Sequence, residues 1–547
     1  MASTDRQVPL DACLLFEPMP LRTLLDTFDV PSQQPGKDVL RLSKSHLVQA
    51  LQCDRRLWLA VHRPDLVVLD SATQALFDAG NRVGEVARQL AVQESGQGEL
   101  IEVKEPLGWQ GAWQRCREAL EKSRRAGTWA MLFEAPFIGL DFAVVVDIVV
   151  SQPGGEMSLI EVKSSTRLDG KPFIDDATFQ AEAMGRCGFR PDQVFIRLID
   201  TSFVYHGDCD YRGLFRDECV TEAVSERTPR VGAFVARSRA VAGGAEPQVH
   251  TGEHCTTPYE CPFRAHCDAW QVSIDGPLPE HPVDLLGRRN VGRLSTLERN
   301  RIRQSGWTDV RDLPDGFPAD PRTKDIARAI RTGRPWIAPG LQATLLSLPY
   351  PRFHFDFETI SPAVPIWAGT RPYQQVPFQW SCHVEHADGR LEHHEFLDVS
   401  GADPRLECAR QLVDLMGGLG GCVLVYFQAF EETRLRELAR DLPQFASGIQ
   451  RVIAKLRDLL PIVRAHYYHP NQQGSYSIKA VLPTVVPELD YAGLEEVRDG
   501  GGAQRAYVEL IDSGTNEARR ASLSASLRAY CGRDTQAMVE LVRRLSA

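Results

Sequence analysis

Apolar positions along the chain follow two rhythms. Residues 144–165 read VVVDIVVSQPGGEMSLIEVKSS, two β-branched runs joined by the turn cluster Pro153-Gly154-Gly155. A second strand pattern, RFHFDFETI, opens at Arg352, with further strands expected near 378–398 and 421–427. Helical spacing runs through LSTLERNRIRQSG and the terminal SASLRAYCGRDTQAMVELVRRL. The pattern predicts an α/β protein in four parts: an extension over 1–38, a mixed unit over 39–274, a Pro-punctuated helical connector over 275–345 and a second αβ unit over 346–547. There is no internal repeat and no low-complexity tract.

The hairpin carries the first candidate chemistry. Asp147 lies as far before the turn centre as Glu161 lies after it, so the two face each other at roughly 5 Å between Cβ atoms. Lys163, two residues on, shares the face of Glu161. Two facing carboxylates repel unless a cation lies between them. An acid pair with a lysine suits a metal-dependent phosphodiester hydrolase, in which metal polarises phosphate and lysine orients water or stabilises charge. The same residues also suit a solvated strand face. The apolar neighbours favour a buried strand pair, where unpaired acids are costly.

Composition narrows the setting. The chain has 547 residues and a net charge of −10, so no global basic signal marks nucleic-acid binding. A metal-dependent nuclease nevertheless concentrates acids and needs only a local basic groove. No run of eighteen apolar residues predicts a membrane span, and the N-terminus lacks the pattern of a signal peptide. Thirteen cysteines scattered through so large a chain fit a reducing, cytoplasmic setting.

Three of those cysteines, Cys255, Cys261 and Cys267, recur every six residues in HCTTPYECPFRAHC, and Cys53 lies far upstream. Four thiolates can hold zinc or an iron–sulfur cluster; the wide spacing leans away from a zinc ribbon. A free-thiol cluster is the plain alternative, with His254 and His266 as neighbours. An upstream cysteine, a D…E-x-K hairpin and three trailing cysteines together resemble the RecB-type PD-(D/E)XK nucleases with an iron–sulfur clasp, of which CRISPR-associated exonucleases are relatives. The resemblance spans roughly residues 40–270. It implies a [4Fe-4S] cluster on Cys53, Cys255, Cys261 and Cys267, and a nuclease core of Asp147, Glu161 and Lys163. It also implies Gln180, in FIDDATFQAEAM, beside the site. Where that family carries a metal-binding His or Glu on an earlier helix, this chain offers Glu85.

A second acidic set lies downstream. Asp356 and Glu358 alternate on one strand face, and Tyr530 and Asp534 share a helix face. Glu431 opens the helical pattern between them. Carboxylates drawn from a strand and two helices can hold two divalent ions, which stabilise attacking and leaving oxygens in phosphoryl transfer. The order resembles the DEDD (DnaQ-like) 3′–5′ exonucleases of ribonuclease-H-like fold, in the subtype ending in Y-x-x-x-D, over roughly residues 350–547. The resemblance implies Mg²⁺ or Mn²⁺ on Asp356, Glu358, Glu431 and Asp534, with Tyr530 orienting water. The middle motif, usually N-x-x-F-D, here reads Gln428-Ala429-Phe430-Glu431, so glutamine and glutamate replace the usual pair. Asp458 fits either a supporting acid or a helix-surface acid. Ser475, Tyr476 and Lys479 fit either phosphate or base contacts or a helix start with Ser475 or Ser477 as N-cap. The two-part layout also resembles an uncharacterised bacterial family in which a domain of unknown function is joined to a RecB-like nuclease domain.

The basic positions Arg55, Arg56, Lys122, Arg124, Arg125, Arg288, Arg289, Arg293, Arg299, Arg301 and Arg303 form local clusters, of which the 288–303 group is the candidate phosphate contact. Trp58 and Trp270 read as core neighbours of the cysteines. The expected activity is metal-dependent hydrolysis of DNA, exonucleolytic, by a hydrolase with two active-site modules. The alternatives are an RNA-processing exonuclease and a nucleic-acid-binding scaffold with decayed sites. The expected partner is nucleic acid, DNA ahead of RNA, and no membrane.

Overall fold

The valine-rich runs flanking Pro153 form the middle of a sheet covered on both faces, which is why they are apolar almost without interruption. The computed structural model describes residues 40–67, 71–101, 103, 108–170, 172–277, 279–288, 290–418, 420–489, 494 and 496–547. The expected extension over 1–38 and Arg289 lie outside the described residues. The protein is mixed α/β, in two units. The first runs to Gly276 and takes in Pro362–Gln374; the second comprises Pro277–Ser361 and Gln375–Ala547.

The first unit begins with β1 (Leu42–Ser43), α1 (Lys44–Gln52), α2 (Asp54–His62), α3 (Ser71–Ser95), β2 (Glu99–Leu100) and α4 (Gly108–Ala126). Then come β3 (Ala130–Ile138), β4 (Phe142–Ser151), β5 (Met157–Val162), α5 (Phe173–Arg186), β6 (Gln193–Ile199), β7 (Phe215–Cys219), α6 (Thr221–Ala242) and α7 (Arg264–Asp275). The strands line up as β2-β3-β4-β5-β6-β7, with β1 pairing parallel to β4. The β4/β5 hairpin is antiparallel, with Ile148 opposite Ile160 and Ser151 opposite Met157. Helix α5 then crosses over, so β6 pairs parallel to β5. Val146, Val149, Leu159 and Ile196 pack with Ala183 and Met184 of α5 and Val235 of α6. Phe133, Ile148 and Val150 pack instead with Ala91 of α3.

The second unit contains α8 (Thr296–Ser305), α9 (Pro321–Thr332), β8 (Trp336–Ile337), α10 (Leu341–Leu346), β9 (Arg352–Ile360), β10 (Val376–Glu385), β11 (Leu391–Leu397) and α11 (Arg405–Met416). It continues with β12 (Cys422–Val425), α12 (Gln428–Asp441), α13 (Ala446–Ala454), β13 (Leu456–Asp458), α14 (Leu459–His466), β14 (Tyr467–Tyr468), α15 (Ile478–Val485), α16 (Gly500–Ile511) and α17 (Glu517–Ser546). Its main sheet runs β11-β10-β9-β12-β13; β9, β10 and β11 are antiparallel neighbours, and β12 and β13 continue in parallel. Alternation along β9 sorts its residues by face. Phe353, Phe355 and Phe357 enter a core with Leu412, Leu435 and Ile449. His354, Asp356 and Glu358 hold the alternate positions.

The segment expected as a connector contributes to this unit's interior. Val283, Leu286, Ile326 and Ile330 share a core with Leu424, Met538 and Leu541. Its helices start and stop on local signals. Ser295 and Glu298 form a capping box on α8, and Gly306 ends the helix in the left-handed region. Asp320 caps α9 ahead of Pro321, and Gly333 closes it. Among the described residues no helix is long and apolar enough to cross a membrane.

Candidate functional site

In the first unit the hairpin register does what equal spacing from the turn predicts. The ladder ends at Ile148 opposite Ile160, which leaves Asp147 and Glu161 as the next facing positions. There the strands part, and the Val162 N–H donates to Asp147 Oδ2 at 2.7 Å. Glu161 is 2 % exposed and is held from three sides: Lys163 Nζ donates to Oε1 at 2.6 Å, Lys44 Nζ to Oε1 at 3.0 Å, and Gln180 Nε2 to Oε2 at 2.7 Å. Two of these partners are the expected Lys163 and Gln180.

Two members of this net, Asp176 and Lys44, were not read from the sequence. Asp176, buried on α5, accepts from Lys163 at 2.5 Å and from Gln180 at 3.2 Å, and pairs with Lys44 at 3.3 Å. Its spacing was a usable signal, since it lies one turn before Gln180 and shares its helix face. Lys44, at the first turn of α1, is 117 residues from Glu161 and carries no such signal. Burial alone lowers the lysine pKa, but Asp176 and Glu161 outweigh it and raise Lys44, and they raise Lys163 well above its ordinary value.

The strand next to Asp147 is kinked. Flanking pairs Phe133–Ile148 and Ala135–Val146 place Glu134 across from Asp147, and Glu134 has φ +53°. Met131 and Phe133 face α3 before the kink, whereas Ala135 and Phe137 face the opposite core after it. One left-handed residue thus reverses the alternation beside the acid pair. Glu134 pairs with Arg88 of α3 at 2.9 Å. Glu85, the expected first-helix ligand, lies one turn before Arg88, buried, with its carboxylate 3.3 Å from Arg82.

The four expected cysteines line one pocket together with Arg55, Arg56, His254 and Phe263. Cys53 ends α1 and starts α2; Cys255, Cys261 and Cys267 are all buried. Gln52 ties the two sequence-distant halves, donating to the carbonyls of His254 at 2.6 Å and Tyr259 at 2.7 Å. Burial raises the Cys261 thiol and pushes Cys267 up to about 11, and nearby cysteines add to both shifts. Among the described residues, no three of these sulfurs lie within 4.8 Å of one another. Tetrahedral zinc with Zn–S of about 2.3 Å needs sulfurs roughly 3.8 Å apart. His254 Nε2 lies 3.6 Å from Cys255 Sγ. Trp58 donates to the Gly244 carbonyl, and Trp270 lies under the Arg55 guanidinium at 3.9 Å, so both have local partners.

In the second unit β9, α12 and α17 bring the expected acids together. Glu358, Glu431 and Asp534 are buried at 7 %, 2 % and 8 % exposure, with Tyr530 beside them at 4 %. Burial first, then Asp534, Glu358 and Glu431, hold Asp356 well above the carboxylate range. Burial and Asp534 raise Glu358 to about 8, against an opposing pull from Lys479. Burial also raises Glu431 to about 8, with Asp458 adding and Arg434 opposing. Cys531 is a further member. Its sulfur and one oxygen each of Asp356 and Glu358 lie mutually within 4.8 Å, and burial among these acids keeps the thiol protonated. Lys479 Nζ donates to Tyr530 Oη at 3.0 Å, so this lysine belongs to the site. Ser477 starts α15 without a side-chain cap, and Tyr476 hydrogen bonds through its carbonyl to Tyr426 Oη at 2.9 Å.

Asp458 has a structural task. Its Oδ1 accepts from Phe427 N at 3.0 Å and Leu460 N at 2.9 Å, and its Oδ2 from Gln428 N at 3.0 Å. It therefore caps α14 and also fixes the entry to α12. That entry is strained, because Phe427 adopts φ 94° and ψ 66°. N-x-x-F-D spans five residues, so with Glu431 in the aspartate place it is Phe427, not Gln428, that falls in the asparagine place. Asparagine visits the left-handed region readily, whereas phenylalanine does so only at a cost in strain.

The arginines of 288–303 are partly committed within the chain. Arg288 donates to the Gln473 carbonyl, Arg299 to those of Leu294 and Gly287, and Arg301 lies over the rings of Trp307 and Phe317. Residues 353–477, which carry Asp356, Glu358 and Glu431, match the family described as Domain of unknown function (DUF2779). No curated protein matches the chain.

Proposed function

We propose that this protein is a metal-dependent nuclease that hydrolyses phosphodiester bonds of DNA from an end, with one hydrolytic centre in each unit. The observation that carries the reading is the convergence of Asp356, Glu358, Glu431 and Asp534 from one strand and two helices, with the first three titrating far above ordinary carboxylates. Buried like charges of this kind need cations, and the carboxylate oxygens suit Mg²⁺ or Mn²⁺, while the neighbouring Cys531 thiol stays protonated. Bound there, the ions would supply Lewis-acid charge to the phosphate oxygens. Lys479 fixes Tyr530 Oη beside the acids, where the phenol orients water. The water oxygen bonds to phosphorus, the bond to the leaving sugar oxygen breaks, and the released proton ends on that oxygen. Acids on the first strand of an antiparallel trio continued by parallel strands support a ribonuclease-H-like fold.

The first unit is read as a PD-(D/E)XK module. Asp147 and Glu161 would hold its metal, and Lys163, anchored by Asp176, would face the phosphate. The four thiols fit a [4Fe-4S] cluster: they converge in one pocket beside the buried Arg55 and Arg56, which offset thiolate charge. Such a cluster would tie α1 to the cysteine loop. The closed lysine–carboxylate net favours a second reading for this unit alone, a nucleic-acid-binding module that does not hydrolyse.

The test uses the full chain with end-labelled single- and double-stranded DNA and RNA in Mg²⁺ or Mn²⁺. Asp356→Asn is expected to lower cleavage at the second centre by at least roughly 100-fold, and Glu161→Gln to do so at the first. Cleavage of DNA by both variants at the wild-type rate, or none by the wild type, defeats the proposal. Loss with Asp356→Asn alone supports the binding-module reading of the first unit.

A further inference from the structure

Among the described residues of the second unit, Phe427 stands out from every other large apolar side chain in combining two features. It is 54 % exposed, and it holds φ 94°, in the region that a residue with a Cβ avoids. Neither feature helps the fold, since the ring buries little and the backbone is strained. The surrounding residues nevertheless fix it firmly. Asp458 takes the N–H groups of both Phe427 and Gln428, and the preceding Tyr426 is anchored through its hydroxyl to the Tyr476 carbonyl. The position is the N-cap of α12, one helical turn before Glu431. An exposed aromatic side chain is thereby carried on hydrogen-bonded backbone one helical turn before Glu431.

We infer that Phe427 is a nucleobase platform: the terminal base of a single strand stacks on its ring while the adjoining phosphate lies at the carboxylates. The chemistry is specific in class. An aromatic face recognises a flat base irrespective of sequence, and stacking of this kind contributes substantially per base. A platform whose backbone is tied to Asp458 keeps its place relative to Glu431, as positioning the terminal phosphate requires. The inference rests on reading the acid set as a phosphodiester-cleaving centre and names the part of the substrate that this centre takes up.

The experiment measures binding and cleavage separately on the full chain. Fluorescent single-stranded DNA and RNA, each with a natural or an abasic 3′-terminal nucleotide, are titrated in Ca²⁺ by anisotropy, then cleaved in Mn²⁺. Wild type is expected to prefer the natural end. Phe427→Asn is expected to weaken binding of the natural end roughly tenfold and to erase the preference, whereas Phe427→Trp retains both. Asparagine suits the backbone here, so a melting curve at or above that of wild type removes misfolding as the cause. Unchanged affinity and an intact preference in Phe427→Asn overturn the platform, and if Asp356-dependent cleavage persists, the nuclease reading stands without it. A wild type that prefers the natural end yet cleaves nothing keeps the platform and overturns the nuclease reading.

Discussion

The two acid centres solve one electrostatic problem in opposite ways. In the first unit Glu161 and Asp176 share Lys44 and Lys163, so two buried negative charges meet two positive ones within 3.3 Å. In the second, Asp356, Glu358, Glu431 and Asp534 crowd together, with Lys479 and Arg434 only moderating Glu358 and Glu431. One centre carries its counter-charge in its own side chains, and the other must import protons or metal. A divalent ion at the first has to compete with lysines, whereas at the second it relieves repulsion. The same residue class therefore stabilises one unit and destabilises the other.

The sharpest way to break that contrast is to remove one acid from each. Glu161→Ala leaves Lys44 and Lys163 with Asp176 as their one ion-paired carboxylate, Asp147 acting only at longer range, and strips Gln180 Nε2 of its shortest partner. Removing one side of a buried ion net costs about 3 kcal/mol or more. Asp356→Asn removes the cost of keeping this buried carboxyl protonated among its neighbours and is expected to stabilise the metal-free protein. Denaturant midpoints measured in EDTA read both changes. Equal destabilisation by the two variants would mean that the second centre is charge-balanced too.

The difference between the centres was only partly legible in the sequence. Local periodicity carried far: the turn at Pro153 fixed the facing of Asp147 and Glu161, and alternation along β9 put Asp356 and Glu358 on one face. Equal spacing also singled out the cysteines that the fold gathers around Cys53. Lys44 was invisible, because only tertiary folding carries a residue at the start of α1 to an acid 117 positions on. Asp176 was readable from its helix spacing to Gln180. The kink at Glu134 and the strain at Phe427 were hidden for another reason: neither is a glycine or asparagine, so no residue type announces a left-handed backbone there. Asp458 showed as an acid, but its three backbone donors come from two helix starts that sequence does not juxtapose.

A second test uses pH. In metal-free protein Glu358 and Glu431 keep their protons up to about 8, from an ordinary value of 4.5. Between those values the folded chain binds more protons than the unfolded one, so stability falls as pH rises. The melting midpoint of the second unit is therefore expected to drop by several degrees from pH 6 to pH 8 in EDTA. Mn²⁺ should restore it, more at pH 8 than at pH 6, because metal replaces protons that are absent only at the higher pH. The double variant Asp356→Asn, Glu358→Gln should flatten both dependences. A midpoint that rises across this window, or a metal effect equal at both values, contradicts the charge imbalance.

The smallest effects come from strain, which also separates the centres. Each has one non-glycine residue in the left-handed region beside its acids, Glu134 at φ +53° and Phe427 at φ +94°. Glu134→Gly removes the strain but leaves the buried Arg88 without its 2.9 Å partner, so a net loss of about 2 kcal/mol is expected. Phe427→Asn removes strain and little packing, since the ring is 54 % exposed, so a gain of about 1 kcal/mol is expected. Denaturant midpoints at pH 7 decide both. If Phe427→Asn stabilises the fold while weakening binding of a natural strand end, the strain at the second centre is retained for the substrate. At the first centre the corresponding strain is tied to the fold, because the side chain that bears it neutralises a buried arginine.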